Sequence, residues 1–112
     1  MSAEDEVSFR FVGGAADAEG LEAEISLILQ QLADPGSDAA RSAIAAGLRP
    51  SDMTGARAIV RQEAKGFGPV VILVAIAVPV AAHIVNKFWD DVIWPHIRGS
   101  LGADALGERE EE

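Results

Sequence analysis

An uncharged run from Phe67 to Val85 constrains this 112-residue chain more than any other feature. The run has nineteen residues, and a helix needs about 20 apolar residues to cross the hydrocarbon layer of a bilayer. Eleven of the nineteen are Phe, Val, Ile or Leu, which together favour membrane insertion by roughly 3 to 7 kcal/mol. The run therefore predicts one membrane-spanning helix, which includes Phe67, Val71, Val74, Val78, Pro79 and Ile84.

The residues that flank the run predict its orientation. Arg57, Arg61 and Lys65 closely precede the run, against Lys87 and Arg98 after it. Because the cytoplasmic side of a membrane span is usually the more basic one, we expect a single-pass membrane protein with a cytoplasmic N-terminus. Aromatic residues just beyond the run suit an interfacial belt, namely Phe88, Trp89 and Trp94.

A second interpretation of the same run is a buried strand. Residues 6–12, EVSFRFV, alternate apolar and polar side chains and predict a short strand, which needs a pairing partner for its backbone groups. The segment VVILVAIAV could be that partner, with Pro79 in the first turn of a following helix. Residues 7–12 and 70–78 would then pair in a small cytoplasmic, soluble α+β domain. The membrane interpretation is the main prediction because the run is long, uncharged and asymmetrically flanked.

The rest of the chain shows helical periodicity. Asp17 is the expected N-cap of a helix that the sequence DPG, at residues 34–36, terminates. Residues 38–47 and a segment opened by Ser51 or Asp52 predict two further helices. Apolar stripes within 21–32 and 84–93 predict an interaction face, formed by Leu21, Ile25, Ile28, Leu32, Phe88, Trp89, Val92 and Ile93.

These patterns predict a mainly α fold in three segments. Residues 1–66 form a small cytoplasmic module of one strand and several helices. Residues 67–94 form the hydrophobic, transmembrane helix, which continues as an amphipathic helix. Residues 95–112 form an acidic, flexible tail.

The charge distribution limits the classes of partner. The chain carries a formal net charge of -9, divided as -7 over residues 1–36, +2 over 37–66 and -4 over 67–112. Nucleic acid is not expected as a partner because phosphate binding needs a basic surface. The absence of cysteine excludes disulfides and thiolate metal sites.

The sequence contains no catalytic or cofactor-binding motif. His83 and His96 lie thirteen residues apart without a nearby carboxylate cluster, whereas a zinc site needs three or four convergent ligands. Asp90 and Asp91 are neighbours on a predicted helix and point about 100° apart, so they form no acid–base pair. We therefore expect no enzymatic activity, no metal, no cofactor and no small-molecule substrate.

The predicted function is association. The main hypothesis is a small non-enzymatic, membrane-anchored interaction or accessory protein that associates through its helices with a protein partner or a second copy. One alternative is a soluble, homo-oligomeric α+β binding or accessory domain. Another is a membrane-perturbing, pore-like small oligomer, assembled through the small residues of the span.

Overall fold

The structure, a computed structural model, describes residues 5–14, 17–63 and 71–110. These residues form an α+β domain rather than the predicted mainly α fold. In chain order the elements are strand β1 (Asp5–Gly13), helix α1 (Ala18–Gln31), helix α2 (Asp38–Ala45), a 3₁₀ turn (Pro50–Met53), strands β2 (Arg57–Glu63) and β3 (Val71–Val78), helix α3 (Ala82–Phe88), a π-helical turn (Trp89–Ile93), helix α4 (Trp94–Leu101) and strand β4 (Gly107–Glu110).

The four described strands form one antiparallel sheet in the order β2-β3-β1-β4. β3 is central, with β1 on one side and β2 on the other. Phe9 lies opposite Val74 in the pairing of β1 with β3, and Val60 lies opposite Val74 in the pairing of β2 with β3. The predicted strand at residues 6–12 thus has its partner in the apolar run, as in the alternative interpretation.

The prediction of a membrane-spanning helix is wrong for the part of the run that the structure describes. Val71, Val74 and Val78 lie in β3, Pro79 follows it and Ile84 lies in α3, while Phe67 falls outside the described residues. Within those described ranges no helix is both long and apolar enough to cross a bilayer. The even-numbered residues of β3, from Ile72 to Val78, are apolar because they point into the core, while its odd-numbered residues lie on the other face of the sheet.

The predicted helix after Ser51 is also wrong beyond its first turn. Pro50–Met53 form a 3₁₀ turn, and the chain then enters β2 at Arg57. Arg57 and Arg61 lie four residues apart, a spacing that suits one side of a helix and, because it is even, one face of a strand equally well. Lys65, the third of the basic residues predicted to precede the span, lies outside the described residues.

The first two helices begin at side-chain caps. Asp17 accepts a hydrogen bond from the backbone N–H of Gly20 at 2.7 Å, which confirms the predicted N-cap of α1. The Ser37 hydroxyl accepts one from the N–H of Ala40 at 3.1 Å and opens α2 in the same way. These bonds satisfy donors that a helix terminus would otherwise leave unpaired.

A single hydrophobic core lies between the helices and one face of the sheet. The indole of Trp89 stacks on the ring of Phe9, with centroids 4.7 Å apart, and also contacts Phe11 at 5.6 Å. Leu106, just before β4, is fully buried in the same core. The sheet contains strands from all three predicted segments, and β4 and all of α4 after Trp94 lie within the segment predicted to be a flexible tail.

Candidate interaction surface

The two faces of the sheet differ in what covers them. On the helix-packed face, Phe9, Phe11, Val60 and the even-numbered residues of β3 are buried in the core. We call the opposite side the open face; it consists of Glu6, Ser8, Arg10, Val12, Arg57, Ile59, Arg61, Glu63, Val71, Leu73, Ala75 and Ala77. None of its apolar residues belongs to the core or packs against it.

An aliphatic stripe runs along the middle of the open face. Its members are the outward residues of β3, which are half-buried by their neighbours on adjacent strands: Val71, Leu73, Ala75 and Ala77. Ile59 on β2 lies beside Ala75 in the register and is 49% exposed. Val12 flanks the stripe at the Val71 end. The open face is therefore apolar at its centre, although no part of the core covers it.

The charged residues of the open face surround that stripe. Arg10 and Glu63 form an ion pair at 3.7 Å across β3. The three arginines and two glutamates of β1, β2 and β3 on this face sum to +1, and the register of β4 adds Glu110 beside Arg10 and Glu108 beside Val12, for a total of -1.

The surface of the open face is not flat. A shallow hollow of about 170 Å³ lies at its middle and is lined by Glu6, Ser8, Ile59, Arg61, Leu73 and Ala75. Val71 and Leu73 occupy one end of the central strand, and Ala75 and Ala77 occupy the other. Because alanine side chains are short, the face is low at the Ala77 end and high at the Val71 end. A larger, open depression of about 850 Å³ curves around the β2 edge at the low end, between α1, the 3₁₀ turn and the sheet.

The edges of the sheet are less accessible than its open face. The backbone N–H of Val60, at the β2 edge, donates to the Glu22 carboxylate of α1 at 2.8 Å. At the other edge β4 has only four residues, GERE. Arg109 holds β4 down: its guanidinium lies 4.7 Å from the Phe9 ring centroid and donates to Asn86 at 3.2 Å. Short, charged or covered edges disfavour pairing with another strand.

In the part of the chain that the structure describes, no group of three or more His, Cys, Asp and Glu side chains could hold a metal ion. His83 is exposed at the start of α3, and the His96 Nδ1 lies 2.8 Å from the carbonyl oxygen of Val92. Asp91 forms an ion pair with Lys87 at 3.2 Å, and Asp90 forms one with Arg109 at 3.4 Å.

The structure places the predicted site residues in two groups. All eight residues of the predicted interaction face are buried in the core of their own domain, so their apolar side chains contact other elements of the chain: Leu21, Ile25, Ile28, Leu32, Phe88, Trp89, Val92 and Ile93. Arg57 and Arg61, predicted to lie next to a membrane, are instead on the open face. Ile59 and Leu73 were missed as surface residues. The alternation of Arg57, Ile59 and Arg61 with Ala58 and Val60 was the signal for Ile59, whereas the uniformly apolar β3 gives no such signal for Leu73.

The chain was compared with protein-family models, curated proteins and solved structures, and none of them matches it.

Proposed function

We propose that this chain is a small non-enzymatic interaction domain that self-associates, and that two copies pack through their open faces. The observation that carries the proposal is the composition of β3. All eight of its residues are apolar, yet the core covers only Ile72, Val74, Ile76 and Val78. Strands that read as continuous apolar runs are usually covered on both faces. The outward half of β3 therefore has the composition of a surface that a second layer covers.

Charge supports a second copy as that layer. Two molecules with a net charge of -9 repel each other at long range. With the two glutamates of β4 the open face sums to -1, so two copies meet less repulsion there than the charge of the whole chain implies. The face also carries both signs, so an isologous contact can place arginines of one copy opposite glutamates of the other.

The sheet edges offer a poorer route to association. Strand addition would need free backbone groups along an edge. Glu22 already accepts from the backbone N–H of Val60 at the β2 edge. The opposite edge is the short, charged β4. Packing of face on face does not require either edge to open.

The size of the open face sets the expected strength of the contact. Strands of four to nine residues, spaced by about 4.8 Å with a rise of about 3.4 Å per residue, give roughly 450 Å² per copy. Two such faces bury about 900 Å², which is below the standard size and typical of weak, reversible complexes. We therefore expect a dimer with a dissociation constant in the micromolar range or weaker.

Sedimentation velocity across a concentration series tests the proposal directly. From about 1 μM to about 1 mM, a range that brackets a weak interface, the weight-average mass should rise from one chain to two. A mass that stays at one chain throughout would overturn the proposal.

Two exposed isoleucines provide a matched pair of variants. Ile59 lies on the open face and Ile44 lies on α2, with exposed fractions of 49% and 60%. Ile59→Ser should weaken dimerisation by about tenfold or more because it removes a central apolar contact. Ile44→Ser should leave it unchanged. Equal effects of the two substitutions would place the interface elsewhere.

A further inference from the structure

We infer a specific arrangement for the two copies: their two-fold axis runs across the strands, over the middle of the open face, so that Leu73 of one copy covers Ala75 of the other and Arg57 faces Glu63. This inference rests on the proposed function, because it describes how the proposed interface is assembled. It identifies the Arg57 and Glu63 pair as the residues that determine its register.

Symmetry leaves few arrangements to compare. Two sheets that pack face to face as an isologous dimer are related by a two-fold axis that lies between them. Stacked sheets keep their strands roughly aligned, so that axis runs either along β3 or across the strands. The register of the sheet then determines which residues face each other. On the open face that register forms four rows, centred on Ala77, Ala75, Leu73 and Val71.

A two-fold axis along β3 places side chains of the same size opposite each other. Each row would face the same row of the other copy, with β2 of one copy opposite β1 of the other. Leu73 would then meet Leu73, and Ala75 would meet Ala75, which leaves a gap at the low end of the face and crowding at the high end. Arg10 and Arg61 share the Leu73 row and would face each other as like charges. Shifting this axis to lie between β3 and β1 would instead place Leu73 against Arg10.

A two-fold axis across the strands places the rows with larger side chains opposite the rows with alanines. The Val71 row then faces the Ala77 row of the other copy, and the Leu73 row faces the Ala75 row. The larger side chains of one copy thus fill the space above the alanines of the other, at both ends of the interface. Close packing of this kind avoids the contacts that a void would forfeit.

The same axis also places opposite charges together. Arg57 belongs to the Ala77 row and Glu63 to the Val71 row, so the two face each other twice in the dimer. The Arg61 side chain faces Ile59, along which its aliphatic stem can lie. The Glu63 side chain is 35% exposed, and its ion pair with Arg10 at 3.7 Å is longer than a hydrogen bond. A second guanidinium can therefore approach it.

Charge reversal with mixing tests this arrangement by sedimentation velocity. Arg57→Glu and Glu63→Arg should each weaken self-association by about tenfold or more, because each places like charges opposite each other at two sites. In an equimolar mixture the two variants should form a heterodimer with an affinity within a few-fold of the wild-type dimer, since both sites are then complementary.

The control variant is Glu6→Arg. An axis along β3 places Arg57 opposite Glu6, so that arrangement predicts rescue of Arg57→Glu by Glu6→Arg and no rescue by Glu63→Arg. Rescue by Glu6→Arg alone would overturn the inferred axis while leaving self-association intact. A wild-type chain that stays monomeric would overturn the proposed function itself. Circular dichroism of each variant establishes that it is folded before mixing.

A distance measurement keeps the inference testable if a charge-reversed variant does not fold. The chain has no cysteine, so Thr54→Cys, at an exposed position just before β2, carries a single spin label. An axis across the strands places the two labels at opposite ends of the interface, more than about 25 Å apart, given a rise of about 3.4 Å per residue. An axis along β3 places them at the same end, and a distance under about 20 Å would overturn the inference.

Discussion

The two faces of the sheet have similar apolar content along β3 but opposite relations to the rest of the chain. Ile72 and Val74 point into a core that contains Phe9 and Trp89, whereas Leu73 and Ala75 point away from it. The helix-packed face accounts for the folding of the domain. The open face adds little to folding, yet it retains the aliphatic composition of a covered surface. This difference indicates that composition alone does not distinguish the covered face of a strand from its open face.

The sharpest test of that difference uses two consecutive residues of β3. Val74→Arg should unfold the domain, because it places an unpaired charge at a fully buried position. Leu73→Arg should leave the domain folded and abolish dimerisation. Far-ultraviolet circular dichroism and urea titration of both variants measure the contrast. If both variants unfolded, the open face would be as much a part of the core as the other.

The aromatic stack tests how much the helix layer contributes to the covered face. Trp89→Ala should lower the free energy of unfolding by about 3 to 5 kcal/mol, because it leaves a large cavity beside Phe9 and Phe11. Urea denaturation measures the change. A loss below about 1 kcal/mol would mean that the helices contribute much less than their burial implies.

The bond between α1 and the β2 edge is expected to have a smaller effect. Glu22→Ala leaves the backbone N–H of Val60 without its carboxylate acceptor and should cost about 1 to 2 kcal/mol. Glu22→Gln retains an acceptor oxygen without the charge and should lose less. Equal losses for the two variants would show that the carboxylate charge, rather than hydrogen-bond acceptance as such, accounts for the stabilisation.

The smallest expected change in the free energy of unfolding is that of a substitution on the open face of the monomer. Ile59→Ser should change the free energy of unfolding by no more than about 0.5 kcal/mol when measured well below the dissociation constant, as is usual for surface substitutions. Ile44→Ser is the control, because its side chain is similarly exposed. A much larger loss for Ile59→Ser in dilute solution would assign that residue a role in folding.

Some secondary-structure elements could be predicted because the sequence pattern that specifies each of them lies within the element itself. The alternation of Val7, Phe9 and Phe11 predicted β1, and Asp17 together with the apolar spacing predicted α1. The choice for residues 71–78 could not be made in this way. Each of these eight residues is apolar, so no period distinguishes a strand from a helix. The residues predicted to form an interaction face are buried in the core. An amphipathic stripe shows that one side of a helix is covered, but it does not show whether the same chain or a partner covers it.

The amino-acid sequence by itself determined that residues 71–78 form an uninterrupted apolar segment, that β1 needed a partner and that disulfides and thiolate metal sites were excluded. Only the tertiary structure decided what buries β3. Its backbone groups pair with those of β1, about sixty residues earlier, and with those of β2, and such pairing between distant segments leaves no local trace in a uniformly apolar strand. The tertiary structure also decided that one side of that strand meets the core, while the other remains on the surface.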